Sequence, residues 1–359
     1  MRHTPRPTYL IPVLSKALDI LELLQAENQP TTLESLYKRT RISKTTVYRI
    51  LKTFVHRGYV AQLPDGNYRH ITKPKKLRFG FGSQSEDEPF SNAVTQSIQD
   101  AASAAGIDLI IIDNRYEAAT AVQNAEEFVR MRVDLVIEFQ VEQEVAPIVG
   151  DCIAGSNIPL IAIDIPHPHA TYFGVDNYRV GLEAGELLAA YAKIRWAGKV
   201  DWVIGLDLPE AGQLVQSRTT GAFEGVRKGL PELVEESYVR LDGRGKRDRS
   251  RKAISDFLQR HPKHKHILIA AATDSSALGA LDAARQLQRE AHVAIVGQDC
   301  IEEVAAEIAK PKSAIIGSVS HEAHLYGANL IQLGLSIIHG QTVAPYNYVP
   351  HRLVTRELP

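Results

Sequence analysis

The hydrophobic residues of the chain follow a helical period near the N-terminus and form continuous runs further on. Between residues 12 and 27 they recur three and four positions apart, as on the buried side of an amphipathic helix. The recurring positions are Leu14, Ala17, Leu18, Leu21 and Leu24. We expect this helix to begin near Ser15 and to end at Asn28–Pro30, because serine favours helix starts and proline cannot continue a helix.

Two further helices are predicted between residues 31 and 58. A short helix at Leu33–Arg39 is followed by a turn at Thr40–Ser43 and by a basic amphipathic helix, Lys44–Gly58. The apolar face of this last helix carries Val47, Ile50, Leu51, Phe54 and Val55, and its polar face carries Ser43, Thr45, Thr46, Arg49 and Lys52. Such a helix can pack inward on one side while its polar side enters a major groove of DNA.

A β-hairpin is expected next. The segment from Gly58 to His70 contains two short strand-like runs around Pro64-Asp65-Gly66, a sequence typical of a tight turn. Helix, turn, helix and hairpin in this order predict a winged helix-turn-helix head, for which we expect residues 1–72.

From Leu77 onward, apolar runs alternate with helical stretches. The predicted strands are Leu77–Gly82, Asp108–Asp113, Val133–Phe139, Ile158–Asp164, Val200–Leu206, His266–Ala271 and His292–Gly297, and the helices include Phe90–Ala105, Ala118–Met131, Val180–Arg195 and Ser276–Arg289. This alternation predicts an α/β fold with parallel sheets covered on both faces. Such sheets bind ligands where their strands end, here near Asn114, Asp164, Thr273-Asp274 and Asp299.

Charge divides the chain at about the same place. The whole chain has 41 Lys and Arg against 42 Asp and Glu, a net charge of −1. Residues 1–76 hold fourteen Lys and Arg against five Asp and Glu, a net charge of +9, which leaves −10 for the rest. A basic module favours contact with phosphates, and an acidic body limits adhesion elsewhere.

Length and composition indicate two or three folding units with ordinary cores. The chain has 359 residues, of which 44% are hydrophobic. No run approaches the ~18 apolar residues that span a bilayer, and the N-terminal residues lack a signal-peptide pattern, so we expect a cytoplasmic protein without membrane contact. Cys152 and Cys300 are the only cysteines. They are too few for a disulfide framework or a zinc cluster, and we expect them to be reduced.

The first region resembles the winged helix-turn-helix of IclR-type bacterial regulators over about residues 12–70. The resemblance is carried by SKALDILELL, TLESLYKRTRISKTTVYRILKTFVHRGYV and DGNYR. It implies double-stranded DNA as a partner, contacted from the start of the recognition helix. The residues placed there are Ser43, Lys44, Thr45, Thr46, Tyr48, Arg49 and Lys52. Arg and Lys can contact guanine edges or phosphates, while the hydroxyls and Tyr48 suit phosphates or thymine methyl groups.

Residues 77–359 resemble the sugar-type periplasmic binding proteins and the effector domains of LacI-type repressors. The resemblance is carried by segments such as LIIIDNRYEAATAVQNAEEFV, IPLIAIDIP, FGVDNYRVGLEAGELL, SRTTGAFEGVRKGL and AATDSSALGALDAA. It implies a type I binding-protein fold, in which two lobes enclose a small ligand and three crossovers join them, near Gly174–Asn177, Gly317–Ser320 and Thr342–Pro345. Lobe 1 would comprise about residues 77–175 and 319–342, and lobe 2 about 176–318 and 343–359, after a linker at 73–76.

The same resemblance implies a ligand cleft between the lobes. Its positions in this sequence are Phe90, Asp164, Arg218, Thr273, Asp299 and His321, to which the strand-end argument adds Asn114. Carboxylates and an arginine around an aromatic face suit a sugar or polyol, whose hydroxyls donate and accept while its C–H face packs on a ring. Asp274 and Asn177 are either further cleft residues or helix caps and hinge residues.

Two positions depart from the family's pattern. Ile165 follows Asp164 where many of these sugar binders have Arg, and Thr273 stands where many have Asn. The changes remove a bidentate donor and a carboxamide, so the common aldose specificities are not expected.

The remaining polar motifs carry less weight. His167 and His169, like His261, His264 and His266, lack cysteine or carboxylate partners at metal-ligand spacing, so we expect solvated loops and no metal site. The basic run at 242–252 is expected to form a loop and a helix start, with Arg244 near the ligand.

Together these features predict a ligand-responsive transcription regulator that binds operator DNA through its head and a sugar-like effector between its lobes. One winged helix makes too few contacts for specific affinity, so we expect a homodimer. The alternative is a cytoplasmic solute-binding protein whose head serves in dimerisation. An enzyme and a cofactor are not expected, since the dinucleotide, P-loop, nucleophile-elbow and H-E-x-x-H motifs are missing from the sequence.

Overall fold

The chain folds into two compact units. A computed structural model describes residues 10–27, 29–71 and 76–356. The units are Met1–Lys75 and Lys76–Pro359. Of the expected linker, residues 73–75 lie outside the described residues. Within the described ranges, no helix is both long enough and apolar enough to cross a membrane.

The first unit is a winged helix-turn-helix, as predicted. Its elements are α1 (Pro12–Ala26), α2 (Leu33–Thr40), α3 (Lys44–His56), β1 (Val60–Gln62) and β2 (Tyr68–His70). The two strands pair antiparallel, and the three helices enclose a core that includes Ile20, Leu36, Val47 and Leu51. The apolar face expected for α3 is therefore confirmed, with Phe54 and Val55 packed at its border.

The start of α1 differs from the prediction. The helix begins at Pro12, one turn before Ser15. Proline is favourable in the first helical turn because its missing N–H would have no partner there, and its fixed φ suits the helix. The helix ends at Ala26, and Asn28 of the expected stop lies outside the described residues.

The second unit is the two-lobed α/β fold that the sequence predicts. Its strands are β3 (Arg78–Ser83), β4 (Asp108–Asp113), β5 (Leu135–Glu138), β6 (Leu160–Ile163), β7 (Thr171–Gly174), β8 (Trp202–Asp207), β9 (Tyr238–Asp242), β10 (Ile267–Ala271), β11 (Val293–Asp299), β12 (Ile315–Ser320), β13 (Tyr346–Tyr348) and β14 (Arg352–Thr355). Its helices are α4 (Pro89–Ala104), α5 (Ala118–Met131), α6 (Ala146–Ala154), α7 (Asn177–Trp196), α8 (Gly212–Gly229), α9 (Arg247–Arg260), α10 (Asp274–Gln286), α11 (Glu302–Ile308) and α12 (Tyr326–Ile338). Short 3-10 turns lie at Gln143–Val145, Pro209–Ala211, Glu235–Ser237, Glu290–His292 and Ala323–Leu325.

Each lobe contains one six-stranded sheet. The first has the order β13-β7-β6-β5-β3-β4 and is parallel throughout. The second has the order β14-β12-β11-β10-β8-β9, with β14 antiparallel to the rest. Their central strands are buried. The carboxyl ends of these strands carry the polar residues discussed below.

The chain passes between the sheets three times. The first passage, between β7 and α7, lies where it was predicted. The second follows Ser320 and does not lie at the predicted Gly317–Ser320, because all of β12 pairs within the second sheet, so residues 319–320 belong to lobe 2. The third lies at 349–351 and not at Thr342–Pro345, because β13 continues the first sheet beside β7. Residues 346–348 therefore belong to lobe 1, where the sequence placed them in lobe 2.

Helices α7 and α8 of the second lobe touch backbone to backbone. A Cβ atom added at Gly181 would lie 1.9 Å from the Arg218 carbonyl oxygen, and one added at Gly185 would lie 2.0 Å from that of Ala222. Only glycine permits this approach. It holds Arg218 on α8 beside the first turn of α7.

We predict that Gly185→Ala destabilises the second unit by about 1–3 kcal/mol, because the added methyl overpacks the helix contact. Urea unfolding of the full chain measures this. Glu186→Ala is the matched control, since that side chain is exposed on the same helix, and it should change stability by less than about 0.5 kcal/mol. A Gly185→Ala protein as stable as the wild type, or more stable, would contradict the close approach.

Candidate functional site

The head presents the polar face of α3. Ser43 caps the helix, since its hydroxyl accepts a hydrogen bond from the Thr46 amide at 3.4 Å and lies 2.8 Å from the Thr46 hydroxyl. Its first role is therefore structural: it satisfies a backbone N–H that has no partner within the helix. Thr45 in the same turn is exposed.

The cationic residues of α3 differ in whether they already form ion pairs or hydrogen bonds within the head. Lys44 Nζ lies 2.9 Å from a carboxylate oxygen of Glu34 on α2, so part of its charge is balanced within the head. Lys52 donates to Gln62 Oε1 at 2.9 Å. Arg49 is exposed, and its guanidinium has no ion pair among the residues that the structure describes. Arg49 is therefore the side chain of this face most available to an anionic partner.

Tyr48 gives the same face an aromatic component. Tyr48 is 45% exposed, and Lys52 Nζ lies 5.6 Å from the centroid of its ring. A stacked lysine and tyrosine next to Arg49 form a surface that is both cationic and able to make apolar contacts.

The second unit encloses a cavity of about 50 Å³ between its lobes. Five of the residues predicted for the cleft line it: Phe90, Asp164, Arg218, Thr273 and Asp299. Because one water needs about 10–15 Å³ of such space, this cavity has room for a few water-sized groups.

Two carboxylates of the cavity stand at strand ends with unusual backbones. Asp164 directly follows β6 with φ +60°, and Asp299 ends β11 with φ +106°. Non-glycine residues seldom adopt such angles, and those that do cluster at binding and active sites. Burial raises the pKa of Asp164, opposed by the Arg218 charge. Burial and the nearby Asp274 carboxylate raise the pKa of Asp299 well above its ordinary value.

Arg218 joins three parts of the fold. Its Nε donates to Asn177 Oδ1 at 2.6 Å, and its Nη1 donates to the Ala272 carbonyl at 3.0 Å. Its Nη2 lies 3.8 Å from Asp164 Oδ2 in the other lobe. Asn177 is thus the residue that orients the guanidinium, while the neighbouring Asp176 caps α7.

Thr273, predicted for the cleft, also takes the helix-capping role that the sequence considered for Asp274. The Thr273 hydroxyl accepts from the Ser276 amide and donates to the Gly245 carbonyl, both at 3.1 Å, so Thr273 is the cap of α10. Asp274 is fully buried and accepts from Ser318 Oγ and the Ile301 amide, both at 2.8 Å. It therefore acts behind Asp299, whose pKa it raises, and does not line the cavity.

Two predicted residues do not line the cavity. Asn114 is buried in lobe 1 and donates to Glu138 Oε1 at 2.8 Å and to the Phe139 carbonyl at 3.1 Å. Burial raises the pKa of Glu138 to about 8, so Asn114 anchors a carboxyl group that is mostly protonated at neutral pH. A strand-end position alone did not distinguish this internal role from ligand contact.

His321 lies behind the cavity wall. Its ring packs edge-on against Phe90 at 5.7 Å, its Nδ1 lies 3.2 Å from Asp299 Oδ1, and its Nε2 lies 3.0 Å from Gln298 Oε1. Burial, followed by the Arg218 charge, holds the pKa of His321 well below its ordinary value. The neutral ring therefore supports Phe90 and Asp299 from behind.

Several cavity residues were not predicted. Gln84, Glu88, Tyr116, Gln140, Ser275 and Gly245 line it from loops and helix starts. Glu88 Oε2 accepts from Ser275 Oγ at 3.1 Å across the lobes, and Tyr116 donates to the Arg244 carbonyl at 3.4 Å. Their sequence contexts carry no repeated pattern, so only the folded chain brings them together.

The basic run forms a loop and the start of α9, as expected, whereas His167 differs from the prediction. Arg244 lies at the mouth of the cleft, paired with Glu210 and 3.8 Å from Glu142 of the other lobe. His167 was expected in a solvated loop, but it is 6% exposed, its Nδ1 lies 2.8 Å from the Ile165 carbonyl oxygen, and burial lowers its pKa to about 4. Among the described residues, no group of three His, Cys, Asp or Glu side chains is arranged to hold a metal ion.

Two parallel-sheet lobes around a polar cavity define a two-lobed binding protein, here joined to a winged helix-turn-helix. The chain belongs to the periplasmic binding protein domain family, whose model matches residues 79–342. Residues 13–64 match the IclR helix-turn-helix domain. Both are binding domains and not enzymatic families. A comparison with curated proteins finds no match.

Solved structures share the fold of the second unit. A periplasmic solute-binding protein of an ABC transporter from Actinobacillus succinogenes 130z, with bound D-allose, is 18% identical with a TM-score of 0.67, covering 78% of this chain and 98% of that one. A solute-binding protein from Mycobacterium smegmatis with bound glycerol is 20% identical, with a TM-score of 0.69 and coverages of 78% and 94%. One from Bacillus halodurans C-125 with bound myo-inositol is 17% identical, with a TM-score of 0.68 and coverages of 79% and 96%.

We predict that Ser43→Ala loosens the first turn of α3, because one backbone N–H loses its partner, at a cost of about 1 kcal/mol. Amide hydrogen exchange at 44–47 should speed up about fivefold. Thr45→Ala, in the same turn but without a capping role, should leave the exchange rate unchanged. If the amide hydrogens exchange at the same rate in both variants, Ser43 does not cap the helix.

Proposed function

We propose that the protein is a cytoplasmic, ligand-responsive transcription regulator. The observation that carries the proposal is the presence in one chain of an IclR-type head with an exposed cationic recognition face and a two-lobed binding unit with a polar cleft. The head supplies the DNA contact, and the cleft supplies the effector site.

The head supports DNA binding through charge and shape. Residues 1–76 carry a net charge of +9, and α3 exposes Arg49, Lys52 and Tyr48 on the face away from its core. Such a helix fits a major groove, and the hairpin after it can contact the backbone. Because a single head offers few base contacts, the proposal includes a homodimer that binds two half-sites.

The cleft supports a sugar or polyol as the effector. Carboxylates from both lobes and a buried arginine surround the cavity, with Phe90 and Phe139 as an apolar wall. The structural neighbours named above hold D-allose, glycerol and myo-inositol. A polyhydroxy ligand of this kind would close the lobes by contacting both, and regulation follows if one lobe spacing binds it better than the other.

We predict that Arg49→Ala weakens the protein's complex with DNA selected by the wild type from a random-sequence pool. The loss of binding free energy should be about 1–3 kcal/mol if Arg49 contacts a guanine. If it contacts a phosphate, the slope of the logarithm of the binding constant against the logarithm of the salt concentration should become shallower by about one. Gel shift across a salt series measures both. Lys16→Ala removes the same charge from α1 and should have a smaller effect. If the wild type selects no preferred sequence and binds all DNA weakly, the head is a dimerisation element and the regulator proposal fails.

We predict that Arg218→Ala abolishes the influence of an effector on that DNA complex. The effector is the sugar or polyol that raises the wild-type melting temperature most in a thermal-shift panel. The loss of effector affinity should be about 2–5 kcal/mol, as when one partner leaves a buried charged hydrogen bond. Arg227→Ala, on the same helix but paired at the surface with Glu235, should retain the response. Wild-type affinity in a folded Arg218→Ala protein would place the ligand elsewhere.

A further inference from the structure

The cavity contains more negative than positive groups. Three carboxylates line it, from Glu88 and Asp164 of lobe 1 and Asp299 of lobe 2, against the single guanidinium of Arg218. Ile165, which follows Asp164, is an apolar and buried part of the same lining. If the four groups carry their ordinary charges, the lining has a net charge of −2.

The hydrogen-bond donors of the lining are largely engaged with the protein itself. Arg218 uses Nε on Asn177 and Nη1 on the Ala272 carbonyl. The hydroxyl groups of Tyr116, Thr273 and Ser275 donate to Arg244, Gly245 and Glu88, respectively. One acceptor remains without a partner, because Asp164 Oδ1 is buried and receives no hydrogen bond, whereas Asp299 Oδ1 lies 3.2 Å from Nδ1 of the neutral His321 ring. The lining therefore keeps an unpartnered carboxylate oxygen, together with Arg218 Nη2 and the Gln84 and Gln140 side-chain amides.

The other cations near the cleft do not correct this imbalance. Arg244 is held at the mouth by Glu210 and Glu142. Lys246 lies with its Nζ 4.2 Å from the centroid of the Tyr116 ring. Neither side chain lines the cavity. Arg244 thus balances acidic residues at the entrance and Lys246 partly offsets Glu88, while Arg218 is the only cation of the lining beside Asp164 and Asp299.

Buried carboxylates that face one another must gain protons or a cation. Burial and neighbouring carboxylates raise the pKa of Asp299, and burial raises that of Glu88. A ligand cation can supply the positive charge that protons would otherwise provide. An ammonium group also offers three donors, which matches a lining with spare acceptors.

We infer that the effector carries a protonated amine on a polyhydroxy frame: an amino sugar or an amino polyol. The inference rests on the proposed function, because it takes this cleft as the effector site. The ammonium group would lie between Asp164 and Asp299, where it contacts both lobes, and the C–H face of the ligand would pack on Phe90.

The test compares matched pairs of ligands by calorimetry on the full chain at pH 7. The pairs are D-glucosamine with D-glucose, D-galactosamine with D-galactose, D-mannosamine with D-mannose, and glucamine with sorbitol. In at least one pair, the amine should bind at least tenfold more tightly than its neutral counterpart. Its N-acetyl derivative, which keeps the nitrogen but loses the charge, should lose that advantage.

Substitutions in the cleft then test which carboxylates cause the preference for the amine. Asp299→Asn and Asp164→Asn should each reduce the preference for the amine at least fivefold, because asparagine keeps the size and shape of aspartate and removes its charge. Asp248→Asn, whose side chain is 90% exposed on α9, should leave it unchanged. Two variants in different lobes are used so that a folding defect in one does not decide the outcome.

The outcomes separate this inference from the proposed function. Neutral members that bind as tightly as the amines would overturn the inference and leave a sugar-responsive regulator in place. Binding by no member of any pair would overturn the inference and the sugar or polyol effector together. A preference that calcium chloride removes by occupying the cleft would also overturn it, because the negative charge would then serve an inorganic cation.

Discussion

The buried guanidinium of Arg218 is the interaction on which the organisation of the second unit depends. A buried cation is tolerated only when its donors find acceptors, and here these come from three separate segments: Asp164 in lobe 1, Asn177 just after the first crossover and the Ala272 carbonyl in lobe 2. The contact of α7 with α8 through Gly181 places Arg218 within reach of all three. One side chain therefore links the position of the lobes, the geometry of the first crossover and the charge of the cleft.

Much of this fold could be predicted from the sequence because its central elements are strongly patterned. Strand β4 and helix α5 were predicted to the residue, as both are bounded by turn-forming or polar residues. Strand β13 could not be predicted in the same way. It is three residues long, exposes Tyr346 and Tyr348, and pairs with a strand about 175 positions earlier. No local pattern encodes such a pairing, so the third crossover was misplaced.

The residues of the cleft could likewise be predicted only in part. The place of Asp164 and Asp299 in the cavity could be predicted because each stands at the carboxyl end of a strand in a mainly parallel sheet, where such sheets bind ligands. The roles of Asn114 and His321 could not, because a polar side chain near that edge can point either to the ligand or to a buried partner such as Glu138 or Asp299. Residues such as Glu88 and Tyr116 reach the cavity from loops. Their positions follow from the contact between the lobes and not from any periodicity.

Under the proposed function, the distribution of charge would connect ligand binding to lobe closure. Closure brings Asp164 and Glu88 of lobe 1 towards Asp299 of lobe 2 and removes all three from water, which is unfavourable while they are ionised. Apolar contacts between the lobes, such as Ile165 with the cluster that contains Leu208 and Val215, oppose this repulsion. The proposed ligand cation would relieve the repulsion between the carboxylates only when the lobes are close. It would therefore bind one lobe spacing better than the other, and this difference in affinity is what an effector needs in order to shift a conformational equilibrium.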